Sequence, residues 1–64
     1  MRLTEFWGRM REQFGAAYAD SVARDHVFRR LGGRTVREAL EAGVEAKAVW
    51  LVVCDEFDVP VANR

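Results

Sequence analysis

Thr35-Val36-Arg37-Glu38-Ala39-Leu40-Glu41-Ala42-Gly43-Val44-Glu45-Ala46-Lys47-Ala48-Val49-Trp50-Leu51-Val52-Val53-Cys54 is the stretch that decides the fold. Thr35 and Glu38 stand three residues apart, as a capping box requires: the Thr hydroxyl accepts from the Glu38 amide while the Glu carboxylate reaches back. The helix so started is short. Gly43 ends it, with Val44 placed for an apolar contact just after the cap. A further helix runs from about Glu45 to Phe57, and Ala46, Val49, Trp50, Val53, Cys54 and Phe57 fall on one side of it. Leu51 lies opposite the centre of that stripe, where it would form a partner surface if Ala48 and Val52 extended it into a patch.

Working towards the N-terminus, Gly32-Gly33 breaks the pattern. Before it, the sequence predicts a helix over residues 17–30 with Tyr18, Ala19, Val22, His26 and Val27 inward. A first helix is predicted from Thr4, as N-cap, to Phe14, stopped by Gly15. Its stripe is Leu3, Phe6, Trp7, Met10 and Phe14, interrupted by the weak helix former Gly8. Towards the C-terminus, Asp58-Val59-Pro60 ends the last helix, and residues 61–64 read as a frayed tail. The expectation is one all-α domain over residues 1–60, a compact bundle of about four short helices without strands. Its core would be Phe6, Trp7, Met10, Phe14, Tyr18, Val22, Leu40, Val49, Trp50, Val53 and Phe57.

Composition sets the limits. The chain has 64 residues, half of them apolar, with ten basic and ten acidic side chains. A second domain does not fit, Cys54 has no partner for a disulfide, and the balance of apolar and charged residues argues against disorder. A core of this size leaves only ~3–5 kcal/mol of net stability, so seven aromatic side chains carry much of the burial. The first residues hold no signal-peptide run, and the longest apolar stretch, Ala48–Cys54, is too short to cross a bilayer. With a lone thiol, the expected location is the cytoplasm, with no membrane contact.

Zero net charge hides an asymmetry. Residues 1–37 carry eight arginines against four acids, and residues 38–64 carry six acids against Lys47 and Arg64. Arg29, Arg30, Arg34 and Arg37 cluster around the Gly-Gly turn. They form a candidate contact for nucleic-acid phosphates or an acidic partner, unless the acidic half neutralises them. Residues 35–54 also have the spacing of a helix-turn-helix, with Ala39 and Gly43 at the small-residue and turn positions. The reading helix would begin Glu45-Ala46-Lys47-Ala48 and is acidic overall, a poor match to phosphates. His26 and Cys54 are the only soft metal ligands and would make a zinc site, or a thiol–imidazole pair, only if the fold joined them. Neither Cys-x-x-Cys nor a phosphate loop is present. The residues therefore point to no enzyme and no cofactor.

The segments Met1–Trp7, Phe14–Tyr18, Asp25–Val27, Gly33–Thr35, Val49-Trp50 and Val53–Asp55 together resemble the small actinobacterial proteins of the domain of unknown function 3046 family. The resemblance extends from Met1 to about Pro60. It implies genes placed beside those of the homologous-recombination recombinase and its regulator, and so a link to DNA repair. It supplies no catalytic or binding residues. Gly8 and Leu51 depart from the family pattern, which has polar residues there; Leu51 thus counts against a polar contact by the last helix. The expectation is a small regulator or protein-interaction module whose partner is another protein. The alternatives are a nucleic-acid binder using the arginine cluster or residues 35–54, and a zinc-binding protein.

Overall fold

A single glycine separates the first two helices in the computed structural model, which describes all residues from Met1 to Arg64. Helix α1 spans Leu3–Phe14 and α2 spans Ala16–Asp25. Gly15 closes one and opens the other: its N–H donates to Arg11 O (2.8 Å) and its carbonyl accepts from the Ala19 N–H (2.8 Å). Its φ of 83° is one that a side chain would strain, so the residue between the helices has to be glycine. A 3-10 turn at Arg29–Leu31, helix α3 (Val36–Glu41), helix α4 (Ala46–Glu56) and a 3-10 turn at Val61–Asn63 complete the chain. There is no strand. The Phe28–Arg34 antiparallel bridge stands alone.

The predicted capping box forms. The Glu38 N–H donates to Thr35 Oγ1 (3.2 Å), and the Thr35 N–H donates to Glu38 Oε1 (2.9 Å). At the other end of α3, the Gly43 N–H donates to Leu40 O (3.1 Å) and the Val44 N–H to Ala39 O (3.0 Å). That is a Schellman closure, with Gly43 at φ 93°. A helix of only six residues is thus fixed at both ends by its own sequence.

Two predicted boundaries move. Helix α1 starts at Leu3 with Arg2 at the N-cap and no side-chain cap, so Thr4 lies inside the first turn rather than before it. Helix α2 stops at Asp25, five residues short of the predicted Arg30. His26 and Phe28 are extended instead. Extension carries the Phe28 ring into the core, fully buried, while the 3-10 turn buries Leu31 and turns Arg29 and Arg30 to water. Continuing the helix would have spent that length on solvated arginines. Tyr18, an expected core residue, and Val27, expected to face inward, are both more than half exposed. Tyr18 keeps only an edge-to-face contact with Phe14, at 5.7 Å between centroids.

Phe6, Met10, Val22, Val49, Trp50 and Val53 are buried as predicted, and Trp7, Phe14, Leu40 and Phe57 pack against them half-buried. Phe6 meets Trp50 edge to face at 6.2 Å, joining α1 to α4. Helix α1 packs mainly on α2 and α4, and α3 also packs on α2 and α4. The α1–α3 side therefore remains partly open. No helix is long and apolar enough to cross a membrane.

The C-terminal residues, expected as a frayed tail, are placed in a turn against the core. Asp58 adopts a left-handed φ of 54°. The Val59 N–H then donates to Cys54 O (2.9 Å), and the Val59 side chain is buried. Arg64 is held at four points. Its main-chain oxygen accepts from Arg9 Nη1 (2.7 Å) and from Trp50 Nε1 (3.1 Å). Its guanidinium donates to Val59 O (2.8 Å) and to Asp55 (2.7 Å).

Candidate interaction surface

The four arginines of the predicted cluster divide into two pairs. Arg30 reaches Asp55 (2.8 Å), which Arg64 also bonds. Arg37 reaches Asp20 (2.7 Å), which Arg24 also bonds (3.1 Å). Each aspartate is therefore shared by two guanidiniums. Hydrogen bonds from Arg30 first, and then Arg64, hold the Asp55 carboxyl below its ordinary range. Neutralisation across the two halves of the chain occurs at Arg30, whereas Arg37 finds its acid within the basic half. Arg29 and Arg34 are exposed and pair with no carboxylate.

The loop under Arg29 and Arg34 is well supported. The Phe28 N–H donates to Arg34 O (3.0 Å), and the Gly33 N–H donates back to Phe28 O (3.1 Å). Gly32 and Gly33 both take positive φ, 76° and 74°, which lets the chain reverse within this distance. Phe28 and Leu31 anchor the loop in the core, and the Thr35 capping box follows it directly.

A second feature lies on the open α1–α3 side. Leu3 and Trp7 of α1 face Arg37, Leu40 and Glu41 of α3 across a groove of about 270 Å³. Its floor is apolar. Leu3 is more than half exposed and Trp7 is half-buried. The Arg37 guanidinium lies 5.5 Å from the centre of the Trp7 ring while it bonds Asp20, so one side chain forms part of the groove wall and also ties α3 to α2. The sequence reading placed Leu3 and Trp7 in a core stripe. The signal it passed over is position: Trp7 follows the fully buried Phe6 and so sits at the edge of that stripe.

No hydrogen bond joins the remaining candidates, His26 and Cys54. His26 Nε2 lies 3.3 Å from Glu56 Oε2, and its ring packs at a tilt against Phe28 (4.5 Å between centroids) and Phe57 (5.1 Å). Cys54 is fully buried, and burial pushes its thiol up, away from the thiolate a nucleophile needs. No group of three or more His, Cys, Asp or Glu side chains is arranged to hold a metal ion. On α4, Leu51 is exposed with Ala48, but Val52 turns half inward, so the apolar patch there stays small. The arrangement offers two means of non-covalent recognition, an apolar groove and a pair of free guanidiniums.

Comparison with known proteins places the chain in a family. The sequence profile of the family described as "Protein of unknown function (DUF3046)" matches residues 1–62, and the chain belongs to that family. A Mycobacterium tuberculosis protein named "Putative envelope-preserving system protein" is 47% identical over 36 residues, which is 56% of this chain and 13% of that protein's length. No solved structure matches.

Proposed function

We propose that this member of the DUF3046 family is a non-enzymatic protein-interaction module or small regulator that works in the cytoplasm. The observation that carries the reading is the Leu3–Trp7–Leu40 groove. A half-exposed Trp beside a guanidinium and two leucines is the composition of a binding hot spot, where a few aromatic and Arg side chains supply most of the affinity. The occupant is an apolar side chain on a segment of a partner protein, for which Arg37 and Glu41 provide a polar rim. A role near recombination or DNA repair is the pathway that the family's gene neighbourhood supports. The name of the M. tuberculosis relative adds a second setting, preservation of the envelope, that an interaction module would also serve.

The test is co-purification from native lysate with the wild type, Leu3→Asp and Val61→Asp. Both substituted positions are exposed, so both variants fold. A stoichiometric protein partner that Leu3→Asp loses and Val61→Asp keeps is the expected result. Recovery of the same proteins by all three, or of none, overturns the reading.

A further inference from the structure

We propose that Arg29 and Arg34 form a receptor for a carboxylate-rich segment of the protein partner, which deepens the interaction-module reading and rests on it. Three observations converge on this loop. First, its guanidiniums are the free ones. Arg30 and Arg37, from the same run of sequence, have carboxylates, whereas Arg29 and Arg34 have none. Asp55 serves both Arg30 and Arg64, and Asp20 and Asp25 are taken up by Arg24 and Arg37, so no carboxylate of these clusters is left over for Arg29 or Arg34. Second, the loop is fixed before any ligand arrives. The Phe28–Arg34 bridge, two left-handed glycines and the buried Phe28 and Leu31 hold the backbone from which both side chains project. Ordering cost on binding is then confined to the arginine side chains themselves. Third, a planar guanidinium matches a carboxylate with two parallel hydrogen bonds, a geometry that Lys does not reproduce.

The surroundings select the class of ligand. Two acids are bonded to this same segment of chain: Glu56 to His26 and Asp55 to Arg30. A duplex carries one charge per ~1.7 Å of axis along its whole length and so draws on a broad basic face, whereas this segment also carries those carboxylates. A short acidic peptide concentrates its charge at a few side chains and avoids them. Zero net charge over the domain agrees with a local contact rather than a broad polyanion face.

The experiment is an amide-resolved NMR titration of the full chain with a short Glu-Ser repeat peptide, at low and at physiological salt. A Lys-Ser repeat and short single- and double-stranded DNA serve as the other arms. The proposal predicts peptide-dependent shifts centred on residues 28–35 that weaken with salt. Affinity should fall about tenfold in the Arg29→Ala/Arg34→Ala double variant, as expected for two charge pairs near the upper end of the exposed range. Arg2→Ala/Arg11→Ala, which removes two other unpaired arginines, should leave it within about twofold, since charge alone would be indifferent to position. Arg34→Lys should retain part of the binding. Shifts spread evenly over every exposed cation, or none at all, would overturn the proposal. So would DNA moving the loop where the peptide does not, which would assign the arginines to a phosphate backbone. The outcome is separate from the groove test. A groove-dependent partner without peptide binding here removes only the acidic receptor. Peptide binding here without a groove-dependent partner removes the groove as the partner contact and leaves the acidic receptor.

Discussion

The two flanks of α1 finish in opposite ways. On one, Arg9, Glu12 and Gln13 face Ala62 and Asn63 across a polar cleft of about 290 Å³, and Arg64 bonds both Arg9 and the Trp50 indole. On the other, Leu3 and Trp7 face Leu40 across a groove of similar volume whose lining is mainly apolar and which no segment of the chain covers. The first flank meets a polar need of the core with a distant part of the chain. The second leaves apolar surface in water in a domain with little core to spare. The fold thus uses its C-terminal residues to close one side of the core and leaves the α1–α3 side open, where the proposed contact would form.

On this division, substitutions on the first flank cost stability, whereas substitution of an exposed groove residue such as Leu3 does not. Trp50→Ala should have the largest effect. Removing a fully buried aromatic costs ~3–5 kcal/mol, as much as a core of this size supplies in total (~3–5 kcal/mol). Circular dichroism should find it largely unfolded; a cooperative melt close to that of the wild type would show that the aromatic core is not the main support. Deleting residues 61–64 comes next. It leaves the Trp50 Nε1–H without its acceptor, a loss of ~1–3 kcal/mol, to be read as a lower urea midpoint. An unchanged midpoint would mean that the turn at Val61–Asn63 adds nothing to the core.

Thr35→Ala bears on the open side, since α3 forms one wall of the groove. Loss of its cap should cost ~1 kcal/mol by urea unfolding, and amide exchange should rise in α3 before it rises in α1. A uniform rise would make α3 part of the closed unit. Acid titration touches the Arg30–Asp55–Arg64 contact. The Asp55 carboxyl is held below its ordinary range, so its contribution is complete above the unfolded carboxylate range and is lost as pH falls through the folded value. Asp55→Asn should therefore lower stability at neutral pH by a small amount and flatten its decline in acid; parallel curves for variant and wild type would show that the contact contributes nothing. Leu3→Asp should be the mildest. Leu3 is exposed and lies in the first turn, where an acid suits the helix dipole, so the urea midpoint should correspond to a change within about 0.5 kcal/mol.

What the sequence made legible follows from how locally each feature is determined. The α3 capping box, its closure at Gly43 and the break at Gly15 depend on residues within a few positions of one another, and the structure forms all three. The end of α2 is not local. It is set by where Phe28 must go to fill the core and by an Arg34 carbonyl six positions later, so helical spacing overran it to Arg30. The candidate surface was legible only in part. The arginine cluster shows in sequence, but which members remain free depends on Asp20 and Asp55, brought near by the fold. Leu3 and Trp7 have the spacing of core residues, and only the packing of α1 and α3 on α2 and α4 rather than on each other leaves them open.

The most direct test of the central claim is hydrogen exchange of the chain, free and bound to its co-purified partner. The account predicts new protection at residues 3–7 and along α3, with the exchange of residues 59–64 unchanged. Protection confined to residues 59–64 and the Arg9–Gln13 flank, with the Leu3–Trp7 segment unaffected, would contradict it.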